Sequence, residues 1–219
     1  MNKKIIITVA VITVVLVLIL VGPYLLRGSL IVSIHPAPAD VNIDNTELKN
    51  VTDLTMNLLI GTHNVTVKKD FYNDFHVTST VGLWGAKKVN AVLTFSEDGE
   101  ALMTASDKIT NAWIQYTKDK DSVKFLKSMK PLLSDDSYDS LTMTTGQVNK
   151  TSATGITTRV PTVSGPVSST TLARTGDSNV TSTVTVKKQP KSELSVSSLV
   201  IDFIKTNGSW VADNITYNY

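Results

Sequence analysis

Five side chains in the second half of the sequence have the chemistry of general acids or bases: Asp135, Asp136, Tyr138, Asp139 and Asp202. An enzyme needs such groups to converge around a reacting atom, but their positions favour structural roles. Asp135 and Asp136 follow a predicted helix end and fit a turn, while Asp202 lies in an apolar strand and is predicted to face solvent. No histidine occurs from Ser96 onward, which removes the most common general base. We therefore predict that the chain is not an enzyme.

Metal and cofactor sites are also not predicted. The three histidines, His35, His63 and His76, are scattered without zinc-binding spacing, and the chain has no cysteine. A lone histidine beside a strand start, such as His63, is more often structural than a ligand. No glycine-rich phosphate loop is present either, so we predict no cofactor.

Trp84 is the one residue in the sequence that we single out for ligand contact. It lies in the turn Gly82-Leu83-Trp84-Gly85, between two predicted strands. A tryptophan on a turn either packs against the domain or offers a flat surface for carbohydrate stacking. Packing is the more common outcome, and stacking of a ligand on Trp84 is kept as a candidate.

An uncharged segment of 22 residues runs from Ile5 to Leu26, and it is almost wholly apolar as far as Val21. About 20 apolar residues can cross a bilayer as a helix. Lys3 and Lys4 precede the segment, and positive charge tends to stay on the cytoplasmic side. The sequence thus predicts a single-pass anchor in the cell membrane, with a cytoplasmic N-terminus and extracytoplasmic domains.

A cleaved signal peptide is the alternative for this segment. Signal peptides have a shorter apolar core and a small-residue cleavage site. The stretch from Pro23 to Arg27 offers no such site. Residues 1–27 are therefore predicted to be a cytoplasmic stub followed by an uncleaved signal-anchor.

The charge of the remaining chain argues against a nucleic-acid partner. Lys3, Lys4 and Arg27 account for three of the 21 basic residues, which leaves 18 basic and 19 acidic residues in the rest. A nucleic-acid-binding protein gathers lysine and arginine on one face. We predict that the chain binds no nucleic acid.

Alternating apolar residues predict short strands between residues 28 and 95. Three motifs stand out: Gly28-x-Leu30-x-Val32 followed by prolines, Ala39-x-Val41-x-Ile43-Asp44-Asn45, and Gly61-x-His63-x-Val65-x-Val67 with Tyr72 beyond it. Together they resemble the PEGA domain, although Asn45 stands where that family usually has glycine, and Ile60-Gly61 where it has Pro-Gly. The resemblance implies a small β domain of envelope and surface proteins without known catalysis.

Helical periodicity begins at Ser96, which precedes the acidic residues Glu97, Asp98 and Glu100. Serine caps a helix start, and acidic residues stabilise its first turn. An apolar stripe then predicts a helix of about five turns: Leu102, Ala105, Ile109, Ala112, Trp113 and Tyr116. A second apolar stripe follows Asp121 and is interrupted by Pro131.

The chain then becomes rich in serine and threonine, with 20 such residues among the 44 from Thr142 to Thr185. A mucin-like linker and a solvent-facing antiparallel sheet both fit this composition. The alternation of Val184 and Val186 favours the sheet. Asn207-Gly208 between two apolar runs then predicts a tight hairpin.

Helices followed by a sheet that ends in the hairpin Asn207-Gly208-Ser209-Trp210-Val211 resemble the nuclear-transport-factor-two-like cone fold. That resemblance rests also on Ala112-Trp113-x-x-Tyr116 and the pairs Phe125-Leu126 and Leu132-Leu133. The cone fold hosts enzymes, binding modules and assembly subunits, so it does not supply a function.

The predicted architecture is an N-terminal transmembrane helix (1–27), a small all-β PEGA-like sandwich (28–95) and an α+β cone-like domain (96–219). The predicted function is a non-enzymatic, single-span extracytoplasmic protein that binds an envelope protein or a cell-wall polymer. A structural subunit of a secretion or conjugation system is the alternative. A small hydrolase or isomerase built in the cone is a weaker one.

Overall fold

The computed structural model describes residues 11–16, 26–150, 167–176, 178–186 and 197–218. The chain divides into two compact units, Met1–Thr94 and Phe95–Tyr219. The sequence placed the boundary between residues 95 and 96, one position later.

The predicted transmembrane anchor is contradicted. No helix in the described parts of the chain is long and apolar enough to cross a membrane. Ile5 and Val21 lie outside the described residues, and Leu26 lies directly before the first strand. The single-pass location that was inferred from the anchor is corrected with it.

The predicted fold class is contradicted. The described chain consists mainly of three β-sheets with few helices, without the membrane-spanning N-terminal helix that the prediction placed first. The hydropathy of the first 26 residues dominated the prediction, but apolar composition alone does not establish a spanning helix.

Seven strands build the first unit: β1 (Arg27–His35), β2 (Ala39–Ile43), β3 (Thr46–Val51), β4 (Asp53–Leu59), β5 (Gly61–Lys68), β6 (Phe75–Val81) and β7 (Ala86–Val92). They form a three-stranded sheet in the order β4-β1-β7 and a four-stranded sheet in the order β3-β2-β5-β6. Every pair is antiparallel except β1 and β7, which run parallel.

One apolar core holds these two sheets together. Along β1 every second residue is buried, because successive side chains of a strand point to opposite faces. Leu30, Val32 and Ile34 thus meet Val41 and Val67 from the other sheet in a single cluster. The alternation in the sequence therefore determines which face of each sheet is buried in the core.

The second unit begins with three helices: α1 (Glu97–Asp119), α2 (Ser122–Met129) and α3 (Asp135–Lys150), with a 3-10 turn at Lys130–Leu132 between the last two. Ser96 caps α1 as predicted, since its hydroxyl accepts a hydrogen bond from the backbone N–H of Gly99 at 3.3 Å. Pro131 stands at the start of the 3-10 turn, a position where its missing N–H costs no hydrogen bond.

Helix α3 corrects the prediction for the start of the serine- and threonine-rich stretch. Asp135 and Asp136 open a helix instead of a turn, and the chain stays helical through Lys150, where a sheet was favoured. Composition misled here because threonine has only a modestly lower helix propensity. Residues 151–166 lie outside the described residues.

Four strands complete the second unit: β8 (Val167–Arg174), β9 (Asn179–Val186), β10 (Ser198–Thr206) and β11 (Ser209–Asn218). They form an antiparallel sheet in the order β11-β10-β9-β8. The predicted Asn207-Gly208 turn joins β10 to β11, with φ of 52° and 81° at the two residues. Positive φ at both central positions is the geometry that suits a two-residue hairpin.

Helix α1 packs on this sheet through an apolar face that contains a small polar seam. Leu102, Ile109 and Trp113 are buried. Between them, the Oγ atoms of Ser106 on α1 and Ser182 on β9 lie 2.8 Å apart, and both side chains are fully buried. The paired hydroxyls satisfy each other, which avoids the cost of burying an unpaired polar group.

Candidate functional site

A cleft in the second unit forms where the start of α3 meets strand β11. Leu133 makes a parallel bridge with Ala212, and the backbone N–H of Ser134 donates to the carbonyl of Ala212 at 2.8 Å. Because β11 is at the edge of its sheet, this short segment attaches helix α3 to the sheet edge.

Two serine hydroxyls then fix the first turn of α3 against β11. Ser134 Oγ donates to Asp213 Oδ1 at 2.9 Å and accepts from the backbone N–H of Ser137 at 3.3 Å. Ser137 Oγ donates to the carbonyl oxygen of Asp213. The wall of the cleft is therefore held by hydrogen bonds from both the backbone and the side chains.

The cleft has a volume of about 330 Å³, within the range of small-molecule sites. Its apolar lining consists of Trp113, Leu133, Leu141, Ile215 and Tyr217. Its polar lining consists of Asp136, Ser137, Ser140, Asp213 and Asn214.

The apolar floor is rigid because its tryptophan is part of the core. Trp113 is only 1% exposed. Its ring meets Phe125 edge-on at a centroid distance of 5.1 Å and lies 5.5 Å from the ring of Tyr217. Packed aromatic rings have few alternative rotamers, so the floor presents a fixed apolar surface.

The polar rim carries negative charge. Asp136 and Asp213 both line the cleft, and none of the described residues that line it is a lysine or an arginine. Carboxylates accept hydrogen bonds and repel anions. The cleft is thus suited to neutral, hydroxyl-bearing or cationic groups and unsuited to phosphates.

Asp202 lies away from the cleft but orients one of its residues. Its Oδ1 accepts a hydrogen bond from Thr181 Oγ1 at 2.7 Å, and its Oδ2 accepts one from Asn214 Nδ2 at 3.2 Å. The side chain is half-buried on the face opposite Ile201 and Phe203, which are buried in the core. Asp202 therefore acts as a positioning residue for Asn214.

The structure brings together only part of the predicted acid/base set. Of the five candidates, Asp136 alone lines the cleft. Sequence reasoning missed Asp213, which lies 79 positions from the serine that binds it. Ser137, Ser140 and Leu141 follow a helical i, i+3, i+4 spacing, and this signal was available once α3 was recognised as a helix.

A second polar cluster of this unit links the start of α1 to the β10–β11 hairpin. Asp98 accepts hydrogen bonds from Lys205 Nζ at 2.9 and 3.0 Å and from Trp210 Nε1 at 3.0 Å. The hydrogen bonds from Lys205 and Trp210 lower the pKa of Asp98. These contacts give Asp98 a structural role, so its presence in the first turn of α1 does not indicate a ligand site.

His63, in the first unit, has a structural environment. Its Nδ1 lies 2.8 Å from Asp44 Oδ2, and its Nε2 lies 2.7 Å from the carbonyl oxygen of Leu59. Since a carbonyl and an ionised carboxylate only accept hydrogen bonds, both ring nitrogens donate, which describes the charged imidazolium. The hydrogen bond that His63 donates to Asp44 raises the pKa of His63, and the same bond lowers the pKa of Asp44.

We expect this pair to make the stability of the first unit depend on pH. The contribution of His63 is complete below its unfolded pKa of about 6.5 and is lost as pH rises through its raised folded pKa. The contribution of Asp44 is present above its usual pKa and is lost as pH falls through its lowered folded pKa. His63→Gln should therefore cost about 1–2 kcal/mol at pH 6 and less at pH 9, measured by urea unfolding.

His76→Gln is the matched control, because the His76 side chain is 65% exposed. It should leave both the stability and its pH dependence close to those of the wild type. A His63→Gln variant that loses the same free energy at pH 6 and pH 9 would contradict the ion-pair assignment.

No metal centre is formed by the part of the chain that the structure describes. Among those residues, no group of three or more histidine, cysteine, aspartate or glutamate side chains could hold a metal ion.

Trp84 does not pack against the first unit. It is 90% exposed in the loop between β6 and β7. The more common alternative for a tryptophan on a turn, burial against the domain, is therefore not the one adopted here. Ligand stacking on Trp84 stays a prediction.

Comparison with known proteins gives no assignment of family. No protein family matches the sequence, and no curated protein matches it. Among solved structures, the chain is similar to a protein of unknown function from Bacteroides fragilis whose description suggests membrane association. The identity is 12% over 88% of this chain and 98% of that one, with a TM-score of 0.24. At this TM-score the likeness supports no argument, and the PEGA-like and cone-like resemblances stay predictions.

Proposed function

We propose that the chain is a non-enzymatic binding protein whose second unit takes a hydroxyl-rich ligand, a glycan segment of a cell-wall polymer, in the cleft between α3 and β11. The observation that carries the proposal is the lining of that cleft. A rigid aromatic and aliphatic floor is combined with hydroxyl, amide and carboxylate groups at the rim, and the described lining residues include no cation.

This combination matches the two faces of a sugar ring. The C–H face of a sugar is apolar and packs on an aromatic surface, here the ring of Tyr217, which rests against the buried ring of Trp113. The hydroxyl groups donate to carboxylates and exchange hydrogen bonds with Ser140 and Asn214. Ligand sites of this kind obtain affinity from the apolar floor and specificity from a few polar groups.

Binding is favoured over catalysis by the use that the fold makes of its acidic groups. Asp213 is engaged by Ser134 through its carboxylate and by Ser137 through its carbonyl. Glycoside hydrolysis uses two carboxyl groups, one on each side of the scissile bond. The cleft contains two, Asp136 and Asp213, but the carboxylate of Asp213 is already held by Ser134, and we therefore favour recognition over catalysis.

Self-assembly of a secretion or conjugation subunit has less support. The described sheet of the second unit has two edges, β8 and β11. The central residues of β8 are Ser168, Ser169, Thr170 and Thr171, and β11 is bridged at Ala212 by Leu133. Obligate subunit interfaces are more apolar than the β8 edge.

The test is the binding of the full chain to soluble cell-wall glycan fragments, measured by calorimetry. Asp136→Ala removes a rim carboxylate, and because a hydrogen bond to a charged group contributes about 1.5–3 kcal/mol, the affinity should fall roughly tenfold or more. Asp135→Ala is the matched control: it removes an equally exposed carboxylate from the same helical turn, outside the cleft lining.

Equal affinities of the two variants would contradict the cleft assignment. Absence of glycan binding by the wild type, together with capture of a peptide ligand that Asp136→Ala weakens, would reassign the cleft to a protein partner. If the wild type releases new reducing ends and Asp136→Ala does not, the cleft is a hydrolase site and the binding proposal is wrong.

A further inference from the structure

We propose that one end of the first unit is a contact surface for an anionic lipid bilayer. This surface, the apolar tip, consists of Leu26, Leu59, Ile60, Leu83 and Trp84. It belongs to the first unit alone and does not depend on the cleft of the second unit.

Strand pairing brings the three segments of the apolar tip to the same end. Arg27 pairs with Leu59, and the backbone N–H of Ile60 donates to the carbonyl of Leu26 at 2.9 Å. The loop that carries Leu83 and Trp84 starts after Val81, which pairs with Gly61 in the other sheet. It ends at Ala86, which pairs with Ser29. All five side chains thus occupy one end of the two sheets.

Exposed apolar side chains are concentrated at this end. Among residues 26–94 the large apolar side chains with high exposure are Leu26, Leu59, Ile60, Leu83, Trp84 and Val92. Five of these six form the apolar tip. Val92 is the exception and pairs with His35, at the opposite end of β7. Single exposed apolar residues are ordinary on a protein surface, whereas a cluster that includes a tryptophan marks an interaction site.

The composition of the loop argues against a glycan ligand on Trp84. Its neighbours in the loop are Gly82, Leu83 and Gly85, which have no hydrogen-bonding side chains. Gly85 has a φ of 81°, a conformation that favours glycine, and Trp84 beside it is exposed. A sugar site needs polar groups beside its aromatic surface, and the apolar tip offers aliphatic side chains instead.

Charge complementarity favours lipid headgroups. Residues 26–29, 57–62 and 80–88 contain Arg27, Lys87 and Lys88 and no aspartate or glutamate. A nearby acid, Asp44, is paired with His63, which also contacts the carbonyl of Leu59. Lys87 and Lys88 are exposed on β7 directly after the loop. Basic residues beside an apolar insertion are attracted to anionic lipids by about 1 kcal/mol each.

The size and shape of the apolar tip favour a bilayer over a protein partner. A stable protein interface uses about 20–30 residues on each side, far more than five side chains on loop and strand ends. Proteins that bind a bilayer surface place tryptophan at the membrane–water boundary. Their aliphatic side chains reach the acyl region, and their basic side chains lie at the headgroups.

The experiment uses the full chain with vesicles of phosphatidylcholine and phosphatidylglycerol, with and without bromine on the acyl chains. Brominated chains quench only tryptophans that enter the acyl boundary. The wild type should be quenched, Trp84→Phe should lose most of the quenched signal, and Trp210→Phe should keep it. Equal quenching of the wild type and Trp84→Phe would overturn the proposal.

A second measurement tests the charges. Lys87→Gln and Lys88→Gln should each raise the vesicle concentration needed for half-maximal quenching roughly five-fold. Lys127→Gln, an exposed lysine of the second unit, should leave it unchanged. Equal quenching midpoints in vesicles with and without phosphatidylglycerol would contradict the anionic preference.

Other occupants of the apolar tip give distinct results. If another segment of the chain covers it, Trp84 emission will be protected from acrylamide without vesicles and unchanged when they are added. If glycan is the ligand, soluble cell-wall fragments will shift Trp84 emission in the absence of lipid. A protein partner or a second copy will shift the emission with protein concentration alone. Each of these results overturns the proposal.

Discussion

Gly28→Ala is expected to destabilise the first unit by about 1–3 kcal/mol or more, because it inserts a methyl group where none fits. A Cβ atom at this position would lie 2.0 Å from the carbonyl oxygen of Gly82 and 2.6 Å from Val81 Cγ1. The nearest obstacle is backbone, which cannot rotate away as a side chain can. Relief would require a shift of β1, the central strand of its sheet.

The measurement is urea unfolding, with amide hydrogen exchange read on peptides of the first unit. Gly82→Ala is the matched control: a Cβ there meets nothing within 4 Å, so its effect should stay within about 0.5 kcal/mol. If the two substitutions have equal effects, the close approach of β1 to the β6–β7 loop is not the reason for glycine at position 28.

The elements that could be predicted are those whose signals are local. Helix α1 follows from Ser96, the acidic first turn and the apolar spacing, and the β10–β11 hairpin follows from Asn207-Gly208. In both cases the residues that specify the structure are within a few positions of it, so no distant contact is needed to decide between alternatives.

Elements specified by distant contacts were missed. Strands β3 and β4 have few buried residues, and they form because β2 and β1 offer them free edges. The parallel pairing of β1 and β7 joins segments more than 50 positions apart. Alternation shows that a segment is extended, but it does not show which strand is its neighbour.

The cleft was beyond sequence analysis for the same reason. Asp136 was interpreted together with Asp135 as part of a turn, and Asp213 was not considered. Asp136 and Asp213 share a site because Leu133 bridges to Ala212, a contact with no sequence signature. Trp113, by contrast, was recognised from helical spacing as part of an apolar face, and the structure gives it a second role as the floor of the cleft.

Trp113→Ala is expected to cost the second unit about 3–5 kcal/mol, the usual range for truncating a fully buried tryptophan. The side chain is buried between α2 and β11, where it meets Phe125 and Tyr217. Truncation removes both ring contacts and leaves a cavity that α1, fixed to the sheet by the Ser106–Ser182 contact, cannot close by moving inward. Urea unfolding followed by hydrogen exchange on peptides of the second unit measures the loss.

Two further variants separate the role of Trp113 in stability from its role in the cleft. Val123→Ala, at a side chain of α2 that is 77% exposed, should leave stability within about 0.5 kcal/mol of the wild type. Trp113→Phe keeps an apolar ring in the core, so it should cost less than Trp113→Ala. The smaller ring supports Tyr217 less closely, and glycan affinity should therefore fall in a protein that remains folded. A Trp113→Ala variant as stable as Val123→Ala would show that α1 is not held on the sheet through this ring.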